Sequence, residues 1–305
     1  MMTRRQTFNY VFLLFFFLLL GACNSTDNPS TTEASVQTTQ PAAEPLATAT
    51  PTEVIVYVAT VNGEGIRESS YLSSLAQFQE AQTEFGNLLE EGETAETRVI
   101  EVLIDRLLLS QYARQTGFFA DETTLDTRIH QLTEEAGGQD AMTAWMERYG
   151  YSMDTFRIEL ALEIEAAWQR DQVTNSVPET AEQVNARQIF FYDGYMASRA
   201  YNQLAAGADF EGVAQANDPQ NLGYLDWFPR GYLFFPELEA AAFSLPPGSF
   251  SEVIETEIGY HILLVLDYDP DRPLSADARL TLQTKVLEDW LAQKRSESQI
   301  EVFLP

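Results

Sequence analysis

Few side chains in this 305-residue chain can do proton, redox or metal chemistry: it holds two histidines and one cysteine. His261 stands in the apolar run Tyr260-His261-Ile262-Leu263-Leu264-Val265, just after Thr256-Glu257-Ile258-Gly259. An imidazole there is either a hydrogen-bonded core group or part of a pocket wall, where its ring nitrogens can donate and accept. His130 lies in a helical stretch among acids and reads as a surface group. Cys23 has no partner for an internal disulfide, so its thiol needs another explanation. Asp267, Asp269 and Asp271 alternate as in a calcium loop, but Arg272 takes the place of the turn glycine and Ala278 that of the closing glutamate. No glycine-rich phosphate loop, zinc-ligand spacing or nucleophile elbow is present, and no metal or other cofactor is expected.

The N-terminus explains the cysteine. Arg4 and Arg5 precede an unbroken apolar run from Tyr10 to Leu20. At about 1.5 Å per residue, that run is too short for a hydrocarbon core of roughly 30 Å and reads as a signal segment. Leu20-Gly21-Ala22-Cys23 then matches the bacterial lipobox, in which the cysteine is lipidated before cleavage. Residues 1–22 contain two bases and no acid, so their removal moves the formal charge from −28 to −30. A body so acidic is repelled by nucleic acid, which is excluded as a partner. From Asn24 to about Thr52 the chain is rich in Ser, Thr, Pro and Ala without apolar period, the composition of a disordered tether.

Order begins at Val54. Val54 to Val61 has the β-branched composition of a strand, and Asn62-Gly63 is a turn. Helices are expected near 68–90, 96–116, 122–136, 139–149 and 153–175. In the second, Val99, Leu103, Ile104, Leu107, Leu108 and Tyr112 form a wide apolar face. Asp121 and Ser152 are suited to cap the third and fifth, and Gly137-Gly138 ends the third. Val177-Pro178 is a break. Gln188–Phe191 and Tyr260–Leu266 read as central strands, with helices over 195–206, 210–216 and 236–243. A last amphipathic helix over 275–294 carries Leu280, Val286, Leu287, Trp290 and Leu291, and 300–304 alternates like a short strand. Long helices of this kind cannot bury their stripes alone, so a cooperative helical lobe is expected.

Four segments carry a family likeness: Ala186-Arg187-Gln188-Ile189-Phe190-Phe191, Gly207-Ala208-Asp209-Phe210, Leu222-Gly223-Tyr224-Leu225-Asp226-Trp227-Phe228-Pro229-Arg230-Gly231, and Thr256 through Val265. In order and spacing they resemble the parvulin family of peptidyl-prolyl isomerases. Val58-Ala59-Thr60-Val61-Asn62-Gly63, with Ile66, is similar to the entry of the N-terminal domain of SurA- and PrsA-type chaperones. The resemblance implies an α+β chain: a helical chaperone lobe with an inserted parvulin-like domain of antiparallel sheet flanked by helices. The expected organisation is signal 1–22, tether 23–53, helical lobe 54–178, parvulin-like domain 179–269, and a returning helix and strand 270–305, the strand pairing near residues 54–61.

The same resemblance implies site residues. Gln188 falls where the family has its first pocket histidine, Asp218 where it has a Cys or Asp, and Thr256 and His261 at the closing hydroxyl and second histidine. Leu233 or Phe234 falls at an apolar wall position, Leu238 at an aromatic one and Phe243 at another apolar one. Plainer readings stand beside these: Asp218 before Pro219 is a natural turn residue, and Phe234, Leu238 and Phe243 are equally at home in a core. Gln188 can still hydrogen-bond His261 but cannot titrate. The implied function is an exported, lipid-anchored foldase facing the extracytoplasmic side. It would bind unfolded exported polypeptides and isomerise their X-Pro bonds, with no cofactor. The alternative is a holdase chaperone whose parvulin-like domain is weak or inactive.

Overall fold

A computed structural model describes residues 55–217 and 223–304. Cys23, the signal and tether, and Asp218 lie outside the described residues. In chain order the elements are β1 (Tyr57–Val61), β2 (Glu64–Arg67), α1 (Glu68–Phe85), α2 (Ala95–Gln115), α3 (Glu122–Glu135), α4 (Gln139–Arg148), α5 (Met153–Thr174), β3 (Thr180–Phe191), α6 (Gly194–Ala205), α7 (Phe210–Asn217), β4 (Tyr224–Pro229), α8 (Pro236–Ser244), β5 (Ile254–Thr256), β6 (Gly259–Pro273), α9 (Ala276–Glu297) and β7 (Ile300–Val302). They divide into two compact units: residues up to Gln169 together with Gln293 onward, and Arg170–Ala292. That division falls at other points than 178/179 and 269/270, and it runs through α5 and α9 rather than between elements.

In the first unit, Asn62 and Gly63 take the left-handed backbone that a two-residue hairpin requires, at φ 52° and 84°. They join β1 to β2, and β7 adds on the other side of β1 with Ala59 opposite Val302 and Val61 opposite Ile300. The chain end therefore completes the N-terminal sheet. Val58, Ala59, Val61 and Ile66 share a core with Tyr71 and Phe78 of α1 and with Val99, Leu103, Ile104, Leu107 and Leu108 of α2, the stripe read from the sequence. The last turn of α9 is held on α2, where Arg295 Nε donates to Asp105 at 2.6 Å and Lys294 lies 4.8 Å from the Tyr112 ring centre.

Capping follows local chemistry. Thr94 and Thr97 reciprocally satisfy the start of α2, Asp121 accepts from the Thr124 N–H at 2.8 Å, and Ser152 accepts from the Thr155 N–H at 3.1 Å. The first helix stops at Phe85, short of residue 90, because Gly86 turns to φ 89°. A second core gathers Leu125, Leu132, Met142, Met146, Phe156 and Leu160 from α3, α4 and α5.

The second unit is built on an antiparallel sheet of order β4-β3-β6-β5. β3 and β6 are much longer than the apolar runs 188–191 and 260–266, pairing from Thr180 opposite Pro273 to Phe191 opposite Tyr260. Their outer halves are polar, so composition alone reads them as linker, yet they pair across two register irregularities. Asp267 and Asp269 stand opposite Asn185 and Gln183, so the acidic alternation is that of a strand. β4 and β5 were not expected as strands. Both sheet faces are covered. Ile189, Phe191 and Ile262 pack with α6 and α7, while Val184, Ala186, Leu263 and Val265 pack with Phe228 and with Leu238 and Ala242 of α8.

Candidate active site

The period of two along a strand assigns the site to one face of this sheet. Gln188 and Phe190 share a face with Val184 and Ala186 of β3, and His261 shares it with Leu263 and Val265 of β6. Phe190 lies directly opposite His261 and Gln188 opposite Leu263, so Gln188 and His261 are diagonal neighbours. A cavity of about 370 Å³ opens on this face, lined by Gln188, Phe190, Leu225, Leu233, Phe234, Phe235, Leu238, Ile258 and His261. The loop before α8 supplies its far wall. Gly231 turns at φ 81° and donates its N–H to Glu239 Oε2 at 2.7 Å, while Pro236 begins α8 and keeps Phe235 extended.

His261 is 2 % exposed. Its Nδ1 lies 3.1 Å from the side-chain amide of Gln188 through Oε1, and its Nε2 lies 3.0 Å from Thr256 Oγ1. The Thr256 hydroxyl is also 3.2 Å from the Gly259 carbonyl oxygen. The rings of Phe190 and Phe235 flank the imidazole at 5.0 and 6.0 Å. Burial pushes the His261 pKa below its ordinary 6.5, so the ring is neutral at pH 7. His261 is the one titratable group among the nine lining residues. With apolar walls, an exposed apolar lip at Phe234 and Ile258, and neutral dipoles at its base, the cavity suits a small apolar ring carried on an uncharged amide.

The depressed pKa makes a pH prediction. The unfolded chain takes up a proton at His261 near pH 6.5, whereas the folded chain does so only at lower pH. Stability from this group is therefore fully present above about pH 6.5 and is lost as pH falls through the folded-state value. Urea unfolding at stepped pH should show that loss in the wild type and not in His261→Leu.

Five positions read from the sequence stand on the cavity wall: Gln188, Leu233, Phe234, Leu238 and His261. Both candidates at the slipped position, Leu233 and Phe234, are there together. Thr256 touches the imidazole and is not on the wall. Phe243 is not among the lining residues and packs as the core alternative has it, edge-on to Phe228 at 6.0 Å and under the Arg230 guanidinium at 4.1 Å. Phe190, Leu225, Phe235 and Ile258 were not foreseen. Phe190 was readable as the same-face neighbour of Gln188, two residues on; Phe235 depends on the loop and had no such signal.

Comparisons with known proteins identify both parts of the chain. Residues 194–267 match the PPIC-type PPIASE domain and residues 42–170 the SurA-like N-terminal domain. Foldase protein PrsA of Caldanaerobacter subterraneus subsp. tengcongensis is 27% identical over 220 residues, spanning 68% of this chain and 72% of that protein. Foldase protein PrsA of Halalkalibacterium halodurans is 35% identical over 126 residues, 40% of this chain and 35% of its own length. Chaperone SurA of Alcanivorax borkumensis is 32% identical over 136 residues, 41% of this chain and 30% of that protein. The chain carries a PPIC-type, that is parvulin-type, peptidyl-prolyl isomerase domain together with a SurA-like N-terminal domain.

Proposed function

We propose that this chain is an exported foldase that binds unfolded polypeptides and isomerises their X-Pro bonds at the cavity over Gln188 and His261. The observation that carries the reading is that cavity: aromatic and aliphatic walls around a neutral, fully hydrogen-bonded histidine. Rotation about an X-Pro amide faces a barrier of roughly 18–20 kcal/mol because the C–N bond must lose its double-bond character. No covalent intermediate is needed. Gripping the pyrrolidine ring in a dry apolar slot and replacing water by fixed dipoles stabilises the twisted amide relative to the planar one. Phe190, Leu233, Phe235 and Leu238 would hold the ring, and the imidazole and the Gln188 amide would present the dipoles. Asp218 is kept as a proposed member of the site on sequence grounds alone.

A protease-coupled assay with a short proline peptide tests the activity. The wild-type chain should accelerate cis-to-trans conversion. Gln188→His, which places a second ring at the base, should raise kcat/KM by roughly tenfold, about 1.4 kcal/mol of transition-state stabilisation. Gln188 also favours a second reading, a holdase that grips clients without isomerising them. No acceleration by the wild type, with aggregation of unfolded proteins still suppressed, would establish that reading instead.

Export and anchoring belong to the same proposal. Leu20-Gly21-Ala22-Cys23 supports lipidation of Cys23 and an extracytoplasmic, membrane-attached location. Among the described residues no helix is long and apolar enough to cross a membrane. Incorporation of radiolabelled fatty acid into the wild type but not into Cys23→Ala is the expected result.

A further inference from the structure

The Thr256 hydroxyl meets two groups, His261 Nε2 at 3.0 Å and the Gly259 carbonyl oxygen at 3.2 Å, and it has one proton to give. Given to the imidazole, that proton leaves the Gly259 oxygen facing a bare oxygen. Given to the Gly259 carbonyl, it obliges the His–Thr bond to use a proton on Nε2. A neutral imidazole carries one N–H, so Nδ1 is then a lone pair. The group opposite Nδ1 is the side-chain amide of Gln188, which can present its oxygen or, after a half-turn about its last torsion, its two N–H donors at the same place. Only an N–H meets a lone pair. One arrangement therefore satisfies all three contacts: Gln188 N–H to Nδ1, His261 Nε2–H to Thr256, and Thr256 O–H to the Gly259 carbonyl.

We propose that Gln188 is a positioning residue which donates to His261 and fixes it as the neutral Nε2–H tautomer throughout the working pH range. The inference rests on reading the cavity as the isomerase site and says what the exchanged residue does there. A histidine at 188 could donate in the same direction but would itself titrate, whereas an amide donates at any pH. The surroundings keep the ring uncharged. β3 brings Gln188 and Phe190, α8 and its leading loop bring Leu238 and Phe235, and β5 brings Thr256. The carboxylates on its own hairpin are Glu255 on β5, which accepts from the Tyr260 hydroxyl at 3.4 Å, and Glu257 in the following turn; α8 carries Glu237 and Glu239. Burial is what shifts the titration of His261.

Long-range proton–nitrogen NMR on the labelled full chain decides the matter, since the tautomers and the cation give distinct correlation patterns. With two histidines in the chain and His130 exposed, the spectrum is assignable by a His130→Gln variant. The Nε2–H pattern for His261 at pH 7 is expected, and an Nδ1–H pattern overturns the proposal. Gln188→Glu, which has no N–H to give, should switch the tautomer or produce the cation; an unchanged Nε2–H pattern there would show that residue 188 does not set it. Should that variant not fold, the wild-type pattern still decides. In the peptide assay, kcat/KM of the wild type should vary less than about twofold between pH 6 and 8, with Gln188→His showing a titration. The NMR result stands whether or not isomerase activity is found, so a silent enzyme with the Nε2–H pattern would count against the activity alone.

Discussion

Replacing Gly223 by alanine should destabilise the isomerase unit by about 3 kcal/mol or more and remove most of its activity. Two independent constraints meet at this glycine. Its φ is 69°, where a Cβ is strained. A Cβ there would also stand 1.7 Å from the Gln188 carbonyl oxygen and 2.8 Å from its carbonyl carbon. These are backbone atoms of the central strand and cannot swing aside. The two residues are tied further by the Gln188 N–H, which donates to the Gly223 carbonyl at 2.7 Å, beside the irregularity where β4 shifts register against β3. Relief is possible only by moving Gln188, and with it the partner of His261. Gly248 provides the control, since at φ 84° a Cβ added to it would meet nothing within 4 Å. Gly248→Ala should cost only the left-handed penalty of about 1–2 kcal/mol. Hydrogen exchange of the β3 amides and the peptide assay measure both effects. If Gly223→Ala proved as mild as Gly248→Ala, the close approach would not be what holds Gln188 in place.

The sequence is informative wherever burial imposes a period. Val99, Leu103, Ile104, Leu107 and Leu108 announce α2, because a helix with one apolar face has no other way to bury it. Residues 300–302 read as a strand from the alternation of Ile300 and Val302 against polar neighbours, whereas their pairing with β1 was expected only from the resemblance to SurA-type chaperones. The outer halves of β3 and β6 were not legible: Asp267 and Asp269 are held by backbone pairing, which leaves no hydrophobic signature. Of the two readings of Phe243, pocket wall or core, linear likeness could not choose because it ignores rotation. Phe243 lies five residues beyond Leu238 on α8, about 140° around the helix axis, and packs on Phe228 instead of lining the cavity. Phe235 was missed for the converse reason. Its position over His261 is set by the Gly231 turn and the proline that starts α8, and neither has a period.

In the SurA-like unit, Glu159→Leu should cost about 3–5 kcal/mol, because it leaves the charge of Arg106 buried without its partner. Arg106 on α2 and Glu159 on α5 form an ion pair that is almost entirely removed from water, and the second carboxylate oxygen accepts from the Ser70 hydroxyl at 2.6 Å. Burial presses the Arg106 pKa down, but the charges of Glu159 and Glu163 outweigh it and hold the guanidinium above its ordinary value. The pair is nonetheless imperfect: among the described residues Arg106 Nε has no hydrogen-bond partner. A buried N–H left unmatched typically costs about 1–3 kcal/mol, so the ion pair is a poor source of net stability even though breaking it is severe. The double replacement Arg106→Met with Glu159→Leu removes both charges and the orphaned donor together, and it should recover most of what the single change loses. Urea unfolding followed by far-ultraviolet circular dichroism separates the cases by their midpoints at constant m-value. A double variant as unstable as Glu159→Leu alone would mean that the pair stabilises the helical lobe outright, and that its cost is not the stranded charge.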